Sequence, residues 1–545
     1  MRTLVALSSL LLLTGAAPQR SAPAIPSLGE SIEVALVNVD VVVVDRDGKR
    51  VRGLKQSDFE VYENGKLQPL SHFAEYRGEA AEGAAGVDAA ETTSPEQRRS
   101  IVLFVEKFKL QDFRIDPFFQ SMKSFVRETV RPGDAVSLVT FDGEAAIRVK
   151  PTDDVAAIEQ ALDGMRADFI GTQYDQTGHL ASDVEAIRAF EAEGAAMAAS
   201  RGMARPVTSD ASIIAGAARS YTVRAELDMK RRVAAINALI NGLAGVEGKK
   251  IMLLAAHRLG SFVGAEYYYA GGATEVPVGE ADKLNNIERM RRLIANANAA
   301  GVSLYPVFPA GLDQTPGDPS IPNTTHQVLV NEMAMRQEIA EKTGGLTSYG
   351  TAEIVKLLPR VADDVSDYYS LAYRASTRRS DDARNITVKT KDPKLEVRAR
   401  KQFVEKSDDS HMRDRVVAAI YDVSQESPVK LAVELGAAKK TSRNRQSVPV
   451  KVRVPIGALT LVPQDGKHLG AFSVYVMTGA KLGYVSDITR QTQSFEVSEK
   501  ELARAMKSHF TYDLDVVVNE GADHVAVGVL DEVSKTYGVT RVPLP

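Results

Sequence analysis

A chain of 545 residues, 44% hydrophobic and 25% charged, has the composition of ordinary globular material, and its length suits roughly three to four domains. A net charge of -4 and a pI near 6.2 leave no surplus of cations to neutralise phosphates, which argues against nucleic acid as a partner. Cysteine is absent, which excludes disulfides, thiol nucleophiles, Cys-ligated zinc and a lipid-modified N-terminal cysteine.

The first 24 residues read as a signal peptide: Arg2, then the apolar run "LVALSSLLLLTGAA", then small residues ending in "APA". Cleavage is expected at Ala17 or Ala24. The apolar run is shorter than the ~20 residues a membrane helix needs, and no later segment approaches that length, so the mature chain is expected to be extracytoplasmic without a membrane span. Residues 30–77 alternate valine with small or polar residues and are cut by "DRDGK" and "ENGK", the pattern of strands joined by tight turns. Four or so strands leave an apolar face uncovered, so they are expected to form half of a β-sandwich completed from elsewhere.

Residues 78–98, rich in Ala, Gly and Glu, read as a linker. From 99 to 367 short apolar strands such as "IVLFV", "DAVSLVTF", "KKIMLLAA" and "GVSLYPVF" alternate with amphipathic helices. That alternation predicts a doubly wound, mostly parallel sheet, with a helical insertion at about 166–247 that exceeds the length of a single crossover. Strand patterns return at 368–404 and are expected to supply the missing half of the first sandwich. After the polar break "VEKSDDSHM", residues 413–545 read as a second sandwich of immunoglobulin or fibronectin type.

The segments "VNVDVVVVDRDGKRVRGLKQSDFEVYENGKLQPLSHFAE", "PGDAVSLVTF", "NAAGVSLYPVFPAGLD", "IAEKTGGLTSYG" and "DYYSLAYRA", in this order, resemble the von Willebrand factor A (VWA)-related exported proteins of Acidobacterial type. The resemblance implies a VWA-like fold and an extracytoplasmic place. In VWA domains the first strand ends in DxSxS, which holds a divalent cation through oxygen. The corresponding positions here are Glu106, Phe108 and Leu110, so two hydroxyls have become hydrocarbon. Thr172 and Asp175 occupy the loop that usually offers a threonine, and Ala256, His257 and Arg258 stand where the family commonly has Ser-Asp-Gly. The metal site therefore reads as degenerate, with no cofactor expected. Glu106 is expected either to pair with Lys107, Lys109 or Arg258, or to stand in a cationic rim where Arg258 replaces the metal's charge and captures an acidic group of a partner.

Tyr267, Tyr268 and Tyr269 read as part of a long loop and a second candidate contact. HExxH, GxSxG and GxxxxGK[ST] are absent and the eight histidines lack ligand spacing, which argues against an enzyme. The absence of tryptophan disfavours sugar stacking. The expectation is an exported protein-interaction module whose partner and oligomeric state the residues do not name. A cation-dependent adhesin built on Glu106, Thr172 and Asp175 is the alternative, and an enzyme the third.

Overall fold

A computed structural model describes residues 36–77, 98–107, 112–143, 145–171, 209–244, 246, 248–256, 258–270, 282, 284–307, 323–348, 354–374, 381–404, 406–420, 427–480 and 486–544. The proposed signal peptide and nearly all of the proposed linker lie outside these residues.

The first four strands are β1 (Leu36–Val44), β2 (Phe59–Glu63), β3 (Lys66–Gln68) and β4 (Leu70–Tyr76). There follow β5 (Arg99–Glu106), β6 (Ala135–Phe141), β7 (Ala145–Thr152), β8 (Lys249–Ala255) and β9 (Val302–Val307), which form one sheet in the order β7-β6-β5-β8-β9. β5 pairs in parallel with β6 and β8, β8 in parallel with β9, and only the edge strand β7 is antiparallel. Every residue of β5 is buried. Its side chains alternate between two cores, as the period of two requires. Val102 and Phe104 face one apolar cluster, whereas Ile101, Leu103 and Val105 face the other.

The second cluster is covered by α1 (Asp112–Thr129), α2 (Val155–Gly171) and, later in the chain, a helix at Ile354–Ser366. The first is covered by α3 (Ser209–Ala244), α4 (Ala265–Ala270), α5 (Ile287–Ala300) and α6 (Asn323–Thr343); Ile354–Ser366 is α7. α5 stops at Gly301, whose φ of 69° is the left-handed conformation that caps a helix at no steric cost to glycine. Doubly wound α/β architecture with a parallel-containing sheet is thus what the alternating strand and helix patterns predict.

The chain then adds β10 (Tyr368–Arg374), β11 (Ala383–Thr390), β12 (Glu396–Ala399) and β13 (Gln402–Val404). They interleave with the first four strands in two sheets, β12-β1-β10-β4 and β13-β11-β2-β3, which enclose a common core of Val37, Val39, Val41, Phe59, Val61, Leu371 and Ile386. Tyr76, which closes β4, and Tyr368, which opens β10, are cross-strand partners with rings stacked at 4.8 Å. The α/β segment therefore leaves and re-enters the sandwich at adjacent backbone positions.

A polar joint ties the two units. Asp364 of α7, 1% exposed, accepts from Arg398 of β12 at 2.6 and 2.9 Å and pairs with Arg50 from the turn after β1. Lys249, at the start of β8, donates to the Asp364 carbonyl at 3.1 Å and sets its ammonium 3.3 Å from the centroid of the Tyr368 ring.

Past the break, α8 (Asp408–Ile420) corrects the expectation of strands from residue 413. Met412, Val416 and Ile420 recur every four residues and are all buried, which is a helical period. α8 wedges between α3, through Ala238, and Tyr475 and Ala526 of the strands beyond. Those strands are β14 (Ala432–Leu435), β15 (Lys439–Ser442), β16 (Arg445–Pro455), β17 (Val462–Gln464), β18 (Lys467–Gly479), β19 (Thr489–Ser498), β20 (His509–Asn519), β21 (His524–Asp531) and β22 (Tyr537–Pro543). In one antiparallel sheet β16 lies between β20 and the pair β14 and β15; in the other β18 lies between β19 and β21, with β22 outside β21. Val450, Val452 and Val454 of the first meet Phe472, Val474, Val527 and Val529 of the second in one apolar layer.

Burial lowers the Lys249 ammonium from its ordinary 10.5 to about 8. Between these values the unfolded chain holds a proton that the folded chain has released, so stability rises with pH there. Relative to Lys249→Met, the wild-type protein is expected to gain at most about 3 kcal/mol between pH 8 and 10.5, read by urea denaturation of both proteins at each pH. A difference that does not change with pH contradicts this account of the joint.

Candidate functional site

At the carboxyl ends of the parallel strands, where open α/β sheets place their ligands, β5 delivers Glu106 into the interior. Glu106 is 1% exposed, and so is its partner, Arg232 of α3. The guanidinium Nε lies 3.0 and 2.9 Å from the two carboxylate oxygens and Nη2 lies 2.5 Å from Oε1, a fork closed over the whole acid. Its carbon is 5.8 Å from the Phe141 ring centroid at the tip of β6. Arg232 reaches this position because Met229, Val233, Ile236 and Ile240 form the apolar stripe of α3 on the sheet, and residue 232 falls within that stripe.

A second guanidinium completes the crest. Arg336 of α6, 2% exposed, donates to the Ala256 carbonyl at 2.7 Å, the Val307 carbonyl at 3.1 Å and Glu332 at 3.1 Å. It thereby caps the ends of β8 and β9. Burial lowers its pKa, while Glu332 and Glu106 favour its charged form and Arg232 opposes it. Two acids and two guanidinium groups thus share one buried, charge-balanced site. Such a pair needs planar, bidentate geometry to offset desolvation, which arginine supplies and lysine does not.

Above this layer the surface is held by polar splints. Asn331 of α6 accepts from the Ser261 amide at 2.8 Å and donates to the Phe262 carbonyl at 3.0 Å. Gly264, at φ 97°, lies so close to Thr222 of α3 that a Cβ would come within 2.9 Å of its methyl group. The Thr222 hydroxyl donates to the Gly264 carbonyl at 3.0 Å. Large apolar side chains remain exposed on these segments: Phe262, Val330 of α6, and Val223 and Leu227 one turn apart on α3.

Several expectations change here. Glu106 does not stand at an open rim, because α3 lies over it. The cation that grips it is Arg232, 126 residues on, and Lys107 instead turns its ammonium to Asp142, 3.9 Å away. Arg258 has a φ of 48° and donates to the Tyr267 hydroxyl at 3.3 Å. Tyr267, Tyr268 and Tyr269 lie on α4 rather than in a loop, and Tyr267 and Tyr268 are buried in the core under α3. Tyr267 packs 5.6 Å from Tyr221. Lys109, Thr172, Asp175 and His257 lie outside the described residues. Arg232 was detectable in principle: in "DMKRRVAAINALI" it occupies an apolar face position, where an unpartnered charge is costly.

No family model and no curated protein matches the chain. Among solved structures it is similar to BatB from Bacteroides thetaiotaomicron, at 14% identity over 50% of this chain and 97% of that chain, with a TM-score of 0.22. An aerotolerance-related membrane protein from Bacteroides fragilis follows at 11% identity, 49% and 98% coverage and a TM-score of 0.23. Manganese-loaded TRAP protein of Plasmodium vivax follows at 8% identity, 74% and 94% coverage and a TM-score of 0.22. Likenesses this distant establish neither family nor function.

Removing Arg232 alone takes the bidentate guanidinium away from a buried carboxylate. Arg232→Met is expected to cost about 3–5 kcal/mol, whereas the double variant Glu106→Leu with Arg232→Met returns to within about 2 kcal/mol of the parent. Denaturant titration of the four proteins closes the cycle, and a single-variant cost below about 1 kcal/mol is incompatible with a sealed pair.

Proposed function

We propose that the protein is an exported, non-catalytic interaction module whose α/β unit is a VWA-like domain with its cation position taken by an internal ion pair. The observation that carries the reading is the bidentate grip of Arg232 on Glu106. A carboxylate that ends the first parallel strand, in the place the family resemblance assigns to a metal ligand, has both oxygens committed to a guanidinium. A permanent organic cation fills the electrostatic role of a divalent ion, and recognition then needs no cation from solution.

Partner contact falls to the segments above the crest, where Phe262 at 41% and Val330 at 52% exposure stand beside Arg258 and Asn331. Exposed apolar side chains with polar groups at their margin are the composition of protein–protein contacts. The first sandwich carries the α/β unit as an insertion. The C-terminal sheets, one of four strands with β16 between β20 and the pair β14 and β15, the other of five with β18 joined to β17, β19 and β21 and with β22 outside β21, support a fibronectin-like sandwich acting as spacer or second contact. No helix among the described residues is long and apolar enough to cross a membrane.

The rival reading, a cation-dependent adhesin built on Glu106, Thr172 and Asp175, requires Glu106 to abandon Arg232. Titration calorimetry of Mg²⁺ and Mn²⁺ into the mature protein is expected to give no saturable heat. Binding tighter than about 100 μM that disappears in Glu106→Gln would favour the adhesin. For the contact face, a photo-crosslinking residue at position 262 is expected to capture an envelope protein that the same residue at exposed Leu67 does not; equal labelling from both positions removes the support for the crest.

A further inference from the structure

A second surface, unrelated to the crest, lies where the α/β unit meets the first sandwich. There a cleft of about 500 Å³ separates β12 from the end of α6, the segment Gly344–Ser348 and the exposed side of α7. The volume is within the range of ligand sites, roughly 300–1,000 Å³. One wall is a sheet edge: in the order β12-β1-β10-β4, β12 has a strand partner on one side only among the described residues, and all four of its residues line the cleft. The cleft closes at one end, where the Lys401 amide donates to the Lys342 carbonyl at 3.1 Å and Gly344, at φ 82°, comes so near Arg400 that a Cβ would lie 2.8 Å from its nitrogen.

The charges around the cleft do not cancel. Lys401 faces Glu341 at 3.8 Å, Arg398 is engaged by Asp364, and Glu396 lies close enough to Arg398 to stabilise its charge. Lys356 and Arg360 are left over. They are exposed, one turn apart on α7, both line the cleft, and neither makes an ion pair among the described residues. Like charges at this spacing repel on a helix, and an acidic ligand relieves that repulsion.

We propose that this cleft receives an extended, acidic peptide segment of a protein partner, added as a strand to the free edge of β12. The part of the edge short of Ala399, where Gly344 packs against the strand, supplies backbone groups for strand addition, and Lys356 and Arg360 on the facing helix select acidic side chains. A free phosphate or carboxylate would satisfy the two cations but leave the strand edge unused.

The test uses the mature protein and a fluorescein-labelled octapeptide of alternating valine and glutamate, followed by fluorescence anisotropy at low salt. Saturable binding is expected, at least tenfold weaker for the double variant Lys356→Glu with Arg360→Glu and unchanged for Val517→Ser on the exposed face of β20. An octapeptide of valine and lysine, and a valine–glutamate peptide N-methylated at alternate amides, are expected not to bind. The proposal is overturned if the lysine peptide binds equally, if the double variant binds as the parent does, or if the N-methylated peptide retains its affinity, which would indicate a site for anions without strand pairing.

Discussion

A carboxylate at the end of a central parallel strand, shut away from water, must be neutralised, because an isolated buried charge costs far more than any one interaction in a domain returns. In this protein the neutralising charge is covalently part of the chain. Arg232 reaches Glu106 only if α3 lies along the sheet face in one register and one rotation, so the ion pair and the apolar stripe of α3 specify the same geometry. Either feature alone would tolerate slippage; together they do not.

Much of the remaining architecture hangs on α3. Its 36 residues, about 54 Å of helix, outrun the sheet they cover. Met229, Val233, Ile236 and Ile240 pack on the sheet while Ala238, on another face, meets Met412 and Val416 of α8, which in turn lies on the C-terminal strands. The helix that seals the crest is thus also the one against which the C-terminal unit is docked. The opposite, amino-terminal end of the sheet is tied to the first sandwich through Asp364, Arg50, Arg398 and Lys249. Seven-residue strands place the two ends roughly 20 Å apart, one dominated by a sealed ion pair and the other by a polar joint beside an open cleft.

This division suits a binding protein. The crest presents apolar side chains above a rigid, charge-balanced layer, whereas the cleft presents a strand edge and uncompensated cations. Different physical chemistry at the two places would select different partner segments.

The sequence by itself determined the local grammar. Valine alternation, Asn-Gly and Asp-Gly turns, and the change to short apolar strands separated by helices specify which segments are strands and which layer they enter, because side-chain period and turn chemistry are short-range properties. It also showed that Phe108 and Leu110 offer no oxygen beside Glu106. What covers Glu106 was decided only by the tertiary structure, since the partner comes from 126 residues away and depends on how α3 rotates against the sheet. The tyrosines misled for a related reason: a glycine-rich setting suggests a loop, yet the cavity under α3 needs large apolar groups, and packing drew Tyr267 and Tyr268 into it on a single turn of helix. α8 was masked by its polar start, and its buried face became evident only once α3 and the C-terminal sheet supplied something to pack against. The cleft beside β12 is likewise a product of assembly, because its walls come from segments that meet only when an interrupted sandwich closes around its insertion.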